Sequence, residues 1–257
     1  MDETSFVHYL PILTTLVSAA FVVSLVQRAS KRNWASHLVW WAIGVFFYGV
    51  GTAFESTITV LGNTETLNRL WYWAGALLGA WPLATGSLYL LFQTGKRRVL
   101  AHVLTAVSGV FVIVASVLVF IGPMKEGILP EHRPMGRGIW EWQWLPWLTP
   151  FINFYAVIFL IGGAMHSCVN FMFMQGQAKR AVGTALIAFG AILPGVGGVL
   201  TKSHDLPEAL YIGEITGIIL IWIGYEFCIR GPKPAAGSAM EPGSAVAAGG
   251  AEAAGAA

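Results

Sequence analysis

Seven long apolar segments follow one another along the first 230 residues of the chain. A segment of about 20 apolar residues is long enough to cross the hydrocarbon core of a bilayer as an α-helix. Inside lipid only helices and closed barrels satisfy every backbone polar group, and these segments are too long and continuous for barrel strands. We therefore predict an all-α, seven-helix transmembrane bundle. The predicted spans are about 7–28, 36–59, 70–93, 99–122, 149–173, 181–201 and 207–229.

Composition supports a single membrane domain over 1–230. Of the 257 residues, 56% are hydrophobic and only 11% are charged, whereas soluble domains carry about 25% charged residues. Residues 231–257 are rich in Gly and Ala, have no apolar periodicity and are predicted to form a flexible tail. Cys168 and Cys228 both fall near span ends predicted to be cytoplasmic, so no disulfide framework is expected.

The basic residues are distributed unequally between the two sides of the predicted membrane. Ten of the 15 lie in the connections 1–2, 3–4 and 5–6 and in the tail, and five lie on the other side. The positive-inside rule therefore predicts an external N-terminus and a cytoplasmic C-terminus. This alternation across every connection also indicates an odd number of spans.

The second span carries an acid inside an apolar segment, and its small and polar residues recur at helical spacing. Steps of three and four residues place them on one face of a helix, which we expect to point into the bundle. Glu55 then lies in the outer half, roughly 11 Å from the span centre. The face consists of His37, Trp41, Gly44, Tyr48, Gly51 and Glu55.

The seventh span carries a second acid, Glu214, roughly 6 Å from its centre and also in the outer half. If the helices close into a ring, spans 2 and 7 are neighbours, and the two carboxylates could share a proton or bind a cation. The sequence favours a ligand-binding hypothesis with Glu55, Tyr48, Glu214 and Tyr211 at this face. The structural alternative pairs Glu55 with Arg69 and lets Glu214 bond a backbone group or a tyrosine.

Glycine and proline mark irregular or closely packed segments in two other spans. In span 3, Gly75 and Gly79 form a G-x-x-x-G pair that predicts close packing, and Pro82 predicts a kink. In span 6, the segment ILPGVGGV (192–199) predicts a kink with tight packing, and a broken helix that exposes carbonyls is the alternative.

The long external connection contains IWEWQWLPW (139–147). Trp prefers the headgroup region, so an interfacial segment is predicted. A short strand and a lid over an external cavity are the alternatives.

Cofactor chemistry finds little support in the sequence. His102 and His166 could ligate a b-type haem, but no spacing motif supports this, and no cofactor is otherwise predicted. Every lysine lies outside the span centres, which disfavours a retinal Schiff base. The motifs H-E-x-x-H and G-x-S-x-G are absent, and the sparse basic residues give no indication of nucleic-acid binding.

Three stretches carry a family resemblance: RLWYWAGALLGAWPLATGSLYLLF (69–92), AVGTALIAFGAILPGVGG (181–198) and ALYIGEITGIILIWIGYEF (209–227). With them the chain resembles uncharacterised bacterial seven-helix membrane proteins over about 7–229. The resemblance implies a multi-pass protein of the bacterial inner membrane and no known activity. In layout the chain is also similar to the seven-helix sensor regions of bacterial histidine kinases.

We therefore expect a non-enzymatic membrane protein. It would bind a small apolar ligand or lipid as a sensor, or serve as an accessory membrane subunit, and act through a cytoplasmic or membrane protein partner. A proton- or cation-coupled carrier that uses Glu55 and Glu214 is the alternative, and a b-haem redox protein is the second alternative.

Overall fold

The structure, a computed structural model, describes residues 6–204 and 207–230. Within these ranges seven helices are long and apolar enough to cross a membrane, which confirms the predicted bundle. The predicted tail 231–257 lies outside the described residues. The helices are α1 Phe6–Ser30, α2 Ser36–Leu61, α3 Glu65–Leu91, α4 Gly95–Ile121, α5 Leu145–Met172, α6 Ala178–Thr201 and α7 Glu208–Arg230.

The helices form a ring from which α4 is displaced to the edge. Helix α2 packs between α1 and α3, α1 packs on α7, α7 on α6, α6 on α5, and α5 on α3. In α4 only Ala101, Val112, Ala115 and Val119 are buried, so most of this helix faces outward. Helix α1 packs against both α2 and α7. The two acid-bearing helices therefore lie in the same part of the bundle.

Glycines allow α2 to approach its neighbours closely. A methyl group added at Gly51 would lie 2.7 Å from the Cα atom of Gly75 in α3, and one added at Gly44 would lie 2.7 Å from the Leu83 backbone nitrogen. Small residues permit such backbone approach in membrane helices. The close packing predicted for Gly75 is therefore confirmed, and it holds the Glu55 side of α2 firmly against α3.

Helix α3 is interrupted in the middle of the span. A π-helical turn, Tyr72–Leu77, ends before residues 78–80, and a regular helix resumes at Trp81–Leu91 with Pro82 in its first turn. Proline lacks an N–H group and is best accommodated in the first turn of a helix. The irregularity predicted at Pro82 is thus present as an interruption of the regular helix over residues 78–80.

Helix α6 continues through Pro194 without a break, so the broken-helix alternative was wrong. Its glycines instead pack on glycines of α7. A methyl group at Gly190 would lie 2.7 Å from the Gly217 oxygen, and one at Gly183 would lie 2.6 Å from the Gly224 oxygen. Within the predicted segment, a methyl group at Gly197 would lie 2.8 Å from the Leu210 Cα atom, whereas one at Gly195 or Gly198 would meet nothing within 4 Å. The tight packing predicted for 192–199 is therefore confirmed at Gly197 and not at the other two glycines.

The connection 122–144 is attached to the bundle by a buried asparagine. The Asn68 side chain is fully buried, donates from Nδ2 to the Met135 oxygen (2.8 Å) and accepts from the Met135 nitrogen (2.8 Å). Nearby, Asn63 Nδ2 donates to the Arg133 oxygen at 2.9 Å. These bonds fix the connection over the end of the bundle at which α1 begins, which we call the N-terminal end.

Replacing Asn68 with alanine should loosen this connection. The change removes two hydrogen bonds to Met135, each worth about 1 kcal/mol, and leaves buried backbone groups without partners. We expect melting in detergent to occur roughly 4–8 °C lower and proteases to cleave 122–144 faster. Asn170→Ala, which removes an exposed bond to His166, is the control and should leave both measurements unchanged. Equal cleavage of the two variants would contradict the anchoring role.

The tryptophans of this connection divide into two groups. Trp140 is 1% exposed, packs edge-on against Tyr72 with a centroid distance of 5.4 Å, and donates from Nε1 to the Gly136 oxygen. Trp144 and Trp147 are 50% and 60% exposed. Trp140 is thus a core residue, contrary to the interfacial prediction, whereas Trp144 and Trp147 have the exposure that an interfacial role requires. Of the strand that was the alternative, the described residues contain one isolated antiparallel bridge, Met124–Trp140.

Candidate functional site

Glu55 occupies the inner face of α2, as its spacing predicts. Its side chain has no exposed surface, and Trp41, Gly44 and Gly51 of the same face are also buried. His37 and Tyr48 are half-buried. Polar and small residues thus form a continuous inward face. This face places a carboxyl group one helical turn beyond the contact between Gly51 and Gly75.

Glu214 of α7 lies beside Glu55, and the two carboxyl groups are close enough to interact directly. Both oxygens of Glu55, and Oε2 of Glu214, are buried without a hydrogen-bond partner among the described residues. Most buried polar atoms are hydrogen-bonded, so three orphaned carboxyl oxygens at one place mark an unusual site.

Two tyrosines complete the predicted site. Tyr48 donates its hydroxyl hydrogen to the backbone oxygen of Glu214 at 3.0 Å, which joins α2 to α7. Tyr211 is 2% exposed and lies within electrostatic range of both Glu55 and Glu214. The four residues named from the sequence therefore come together between α2 and α7.

The structural alternative, a pair between Glu55 and Arg69, was wrong. The Arg69 guanidinium donates to Glu65 Oε1 at 2.6 Å and to the Gly122 oxygen at 2.8 Å. It also donates to the Val119 and Phe120 oxygens, so it satisfies carbonyls at the end of α4. The alternative for Glu214 was a bond to a backbone group or a tyrosine. A tyrosine, Tyr48, does bond this residue, but it donates to the Glu214 backbone oxygen. Its carboxylate is not the acceptor.

Hydroxyl groups lie on the α1 side of the acid pair. Thr52, 2% exposed, and Thr15 join α2 and α1 through an Oγ1–Oγ1 hydrogen bond of 2.9 Å. Ser18 is fully buried against Gly49, and its hydroxyl has no partner among the described residues. This side of the site is polar and tightly packed.

Apolar side chains close the site toward the opposite, C-terminal end of the bundle. Phe21 and Val45 are 0% exposed and Ile218 is 1% exposed, and all three belong to one packed cluster. Ile218 lies one turn beyond Glu214 on the same face of α7, about 6 Å along the axis. We call Phe21, Val45 and Ile218 the apolar plug.

The arrangement can hold a proton or a small cation. Glu55 is buried and Glu214 is half-buried. Two carboxylates side by side repel when both are ionised, and an uncompensated charge inside the protein is costly. A shared proton or a bound cation removes this cost. Among the described residues, no group of three or more His, Cys, Asp or Glu side chains could hold a metal ion, so the pair does not belong to a larger metal centre.

The two histidines considered for haem lie elsewhere, each with a partner of its own. His102 Nδ1 hydrogen-bonds the Tyr89 hydroxyl at 2.9 Å, and His166 Nε2 hydrogen-bonds Asn170 at 2.9 Å. Both residues are exposed on the surface of their helices. No contact joins them among the described residues, and the haem hypothesis gains no support from this geometry.

Sequence reasoning missed two residues near the acid pair. The His8 ring packs edge-on against Tyr211 with a centroid distance of 5.6 Å, and Arg133 of the 122–144 connection lies within electrostatic range of Tyr211. His8 and Arg133 lie far from Glu55 in the sequence, on other segments, so no residue spacing could associate them with it. Only the folded connection and the ring of helices bring them to this place.

The comparisons with known proteins give no family assignment. No protein-family model matches the chain, and neither a curated protein nor a solved structure matches it. The function therefore has to be inferred from the chemistry of the acid pair and its surroundings.

Proposed function

We propose that this chain is a non-enzymatic, multi-pass membrane protein that binds a proton at Glu55 and Glu214 and works as a proton-responsive sensor or accessory subunit. The observation that supports it best is the burial of three carboxyl oxygens without hydrogen-bond partners among the described residues. Ionisable residues inside membranes commonly mark proton relays and ion sites. A proton shared by the two carboxyl groups gives the site one negative charge instead of two.

Tight packing favours a proton over a larger ligand. Gly51 lies against the backbone of Gly75, and the hydroxyls of Thr15 and Thr52 meet at 2.9 Å on the other side. Glu55 itself has no exposed surface. The small apolar ligand or lipid expected from the sequence would need space that these contacts occupy, and a bound proton needs none.

A proton- or cation-coupled carrier is the second candidate, because buried acid pairs also serve transport. The apolar plug favours the sensor over the carrier, since a carrier needs access from both ends of the bundle. A flux measurement separates them. The protein is reconstituted into proteoliposomes that contain a pH dye. If it is a sensor, no protein-dependent proton flux should appear. If it is a carrier, wild type should show a flux and Glu55→Gln should not.

Three further predictions accompany the proposal. An external N-terminus follows from the distribution of basic residues, and a bacterial inner-membrane location follows from the family resemblance. A partner at the basic, cytoplasmic end would receive the signal. Labelling of single cysteines in intact cells at Gly127 and Gly176, which lie in opposite connections, tests the orientation: Gly127→Cys should react with an impermeant reagent and Gly176→Cys should not.

Infrared spectroscopy tests the proton site directly. Purified protein titrated from pH 4 to pH 10 should show a protonated-carboxyl C=O band that changes with pH. The band should be lost or shifted in Glu55→Gln and in Glu214→Gln, and it should persist in Glu226→Gln, a variant at the surface ion pair with Arg230. A wild-type protein without such a band, or a band that neither variant alters, would overturn the proposal.

A further inference from the structure

We infer that the acid pair exchanges its proton with the N-terminal end of the bundle through Tyr211 and His8, and that the apolar plug isolates it from the other end. This inference rests on the proposed proton site and adds the side from which that site is reached. It assigns a proton-transfer role to Tyr211 and His8. The sequence predicted Tyr211 at the site but gave it no task of its own, and it did not point to His8.

Tyr211 is the connecting residue toward the N-terminal end. It precedes Glu214 by three positions, so both occupy one face of α7, with Tyr211 nearer the N-terminal end. Its side chain is 2% exposed and lies within electrostatic range of both carboxyl groups. A tyrosine hydroxyl both donates and accepts a hydrogen bond, so it can pass a proton without holding a charge.

His8 covers Tyr211 from the first turn of α1. The two rings meet edge-on at a centroid distance of 5.6 Å, and His8 is half-buried. A histidine ring nitrogen can accept a hydrogen bond or donate one, which suits a residue that passes protons from a surface. His8, Tyr211 and the acid pair therefore form a series that leads from the surface inward.

The charges around this series come from several elements. Tyr48 approaches the pair from α2, Glu208 and Tyr211 from α7, and Arg133 from the 122–144 connection. Arg133 lies within electrostatic range of Tyr211. Variants at Arg133 change the charge beside the connecting residue itself. They are therefore unsuited to a test of the route.

In the opposite direction, the hydroxyls of Tyr48 and Ser18 are followed one helical turn further on by apolar side chains. One turn beyond Glu214 stands Ile218, and Phe21 and Val45 complete the apolar plug. The next buried hydroxyl group on α7 is that of Tyr225, 3% exposed, whose ring contacts Phe21 at a centroid distance of 5.6 Å. Tyr225 thus lies beyond the plug and supplies a matched control, since it is a tyrosine of the same helix with similar burial.

A rate measurement tests the route. After a rapid pH jump, the carboxyl infrared band of purified wild-type protein is followed in time and compared with Tyr211→Phe, His8→Gln and Tyr225→Phe. A positioned group that transfers protons typically accelerates the transfer by about 10²–10⁴-fold. We expect Tyr211→Phe to slow the change at least ten-fold, His8→Gln to slow it measurably, and Tyr225→Phe to match wild type. The final amplitudes should be unchanged.

The outcomes separate this inference from the proposed function. If wild type has no titrating carboxyl band, the proton site itself is wrong. If the band titrates but Tyr211→Phe keeps the wild-type rate, or Tyr225→Phe is slowed as much, the route is wrong while the proton site stands. Tyr211→Phe could misfold, which would lower the amplitude of the band. In that case the test rests on His8→Gln, which lies outside the packed core. A wild-type rate in His8→Gln would then overturn the route.

Discussion

Replacing Gly224 with alanine should lower the melting temperature of the protein by roughly 5–10 °C. A methyl group at this position would lie 2.4 Å from the Gly183 oxygen and 3.0 Å from the Ile187 nitrogen. Both contacts are with the backbone of α6, so a side-chain rotation cannot relieve them. Overpacking a close interface costs about 1–3 kcal/mol, and the helices must separate to accept the methyl group.

Gly195 provides the control for this prediction. It lies in α6, is exposed, and a methyl group there would meet nothing within 4 Å. Alanine has a higher helix propensity than glycine by about 1 kcal/mol, so Gly195→Ala should leave the melting temperature unchanged or raise it. Thermal unfolding in detergent, followed by circular dichroism, makes the comparison. Similar melting of the two variants would show that α6 and α7 do not pack through Gly224.

The Glu55→Gln variant should fold and, at high pH, should be more stable than wild type. Ionisation of both carboxyl groups places two like charges side by side, where three of the four oxygens are buried without a hydrogen-bond partner among the described residues. The glutamine side chain has the same shape and carries no charge. We expect wild type to lose roughly 5–10 °C of melting temperature between pH 6 and pH 9, and Glu55→Gln to lose less than half of this.

This prediction separates a functional acid pair from a structural one. A purely structural pair would make Glu55→Gln less stable at every pH, because a stabilising contact is lost. Glu226→Gln is the control: it removes a surface ion pair, with a distance of 3.0 Å to Arg230, that is worth less than about 1 kcal/mol. Its pH profile should follow that of wild type.

The seven spans and the inner face of α2 could be predicted from the sequence, because both depend on local periodicity. Segment length identifies a span, and steps of three and four residues place Tyr48 and Glu55 on one face. Depth along the helix axis also follows from residue count, which explains why Glu55 and Glu214 could be expected at similar levels. These features need no knowledge of the other helices beyond their order.

Partner choice could not be predicted in the same way. Arg69 is close enough to Glu55 in the sequence to be a possible partner. Its guanidinium instead donates to carbonyl oxygens at the end of α4. The interruption of α3 begins at Tyr72, well before the proline that signals it. The contact between His8 and Tyr211 joins two ends of the chain. Each depends on tertiary packing, which leaves no periodic signal.

Cysteine cross-linking tests the central claim, that α2 and α7 hold two carboxyl groups side by side inside the bundle. Glu55→Cys and Glu214→Cys are combined in a Cys168→Ser, Cys228→Ser background, and a membrane-permeant bifunctional thiol reagent with a short spacer is added. Two glutamate side chains can meet while their Cα atoms lie beyond the roughly 7 Å that a disulfide allows, so the spacer is needed. Thr216→Cys, exposed two positions away on α7, replaces Glu214→Cys in the control pair. The account predicts a 55–214 cross-link, identified by peptide mass spectrometry, and little or none in the control. Absence of the 55–214 cross-link, or equal yields from the two pairs, would contradict the account.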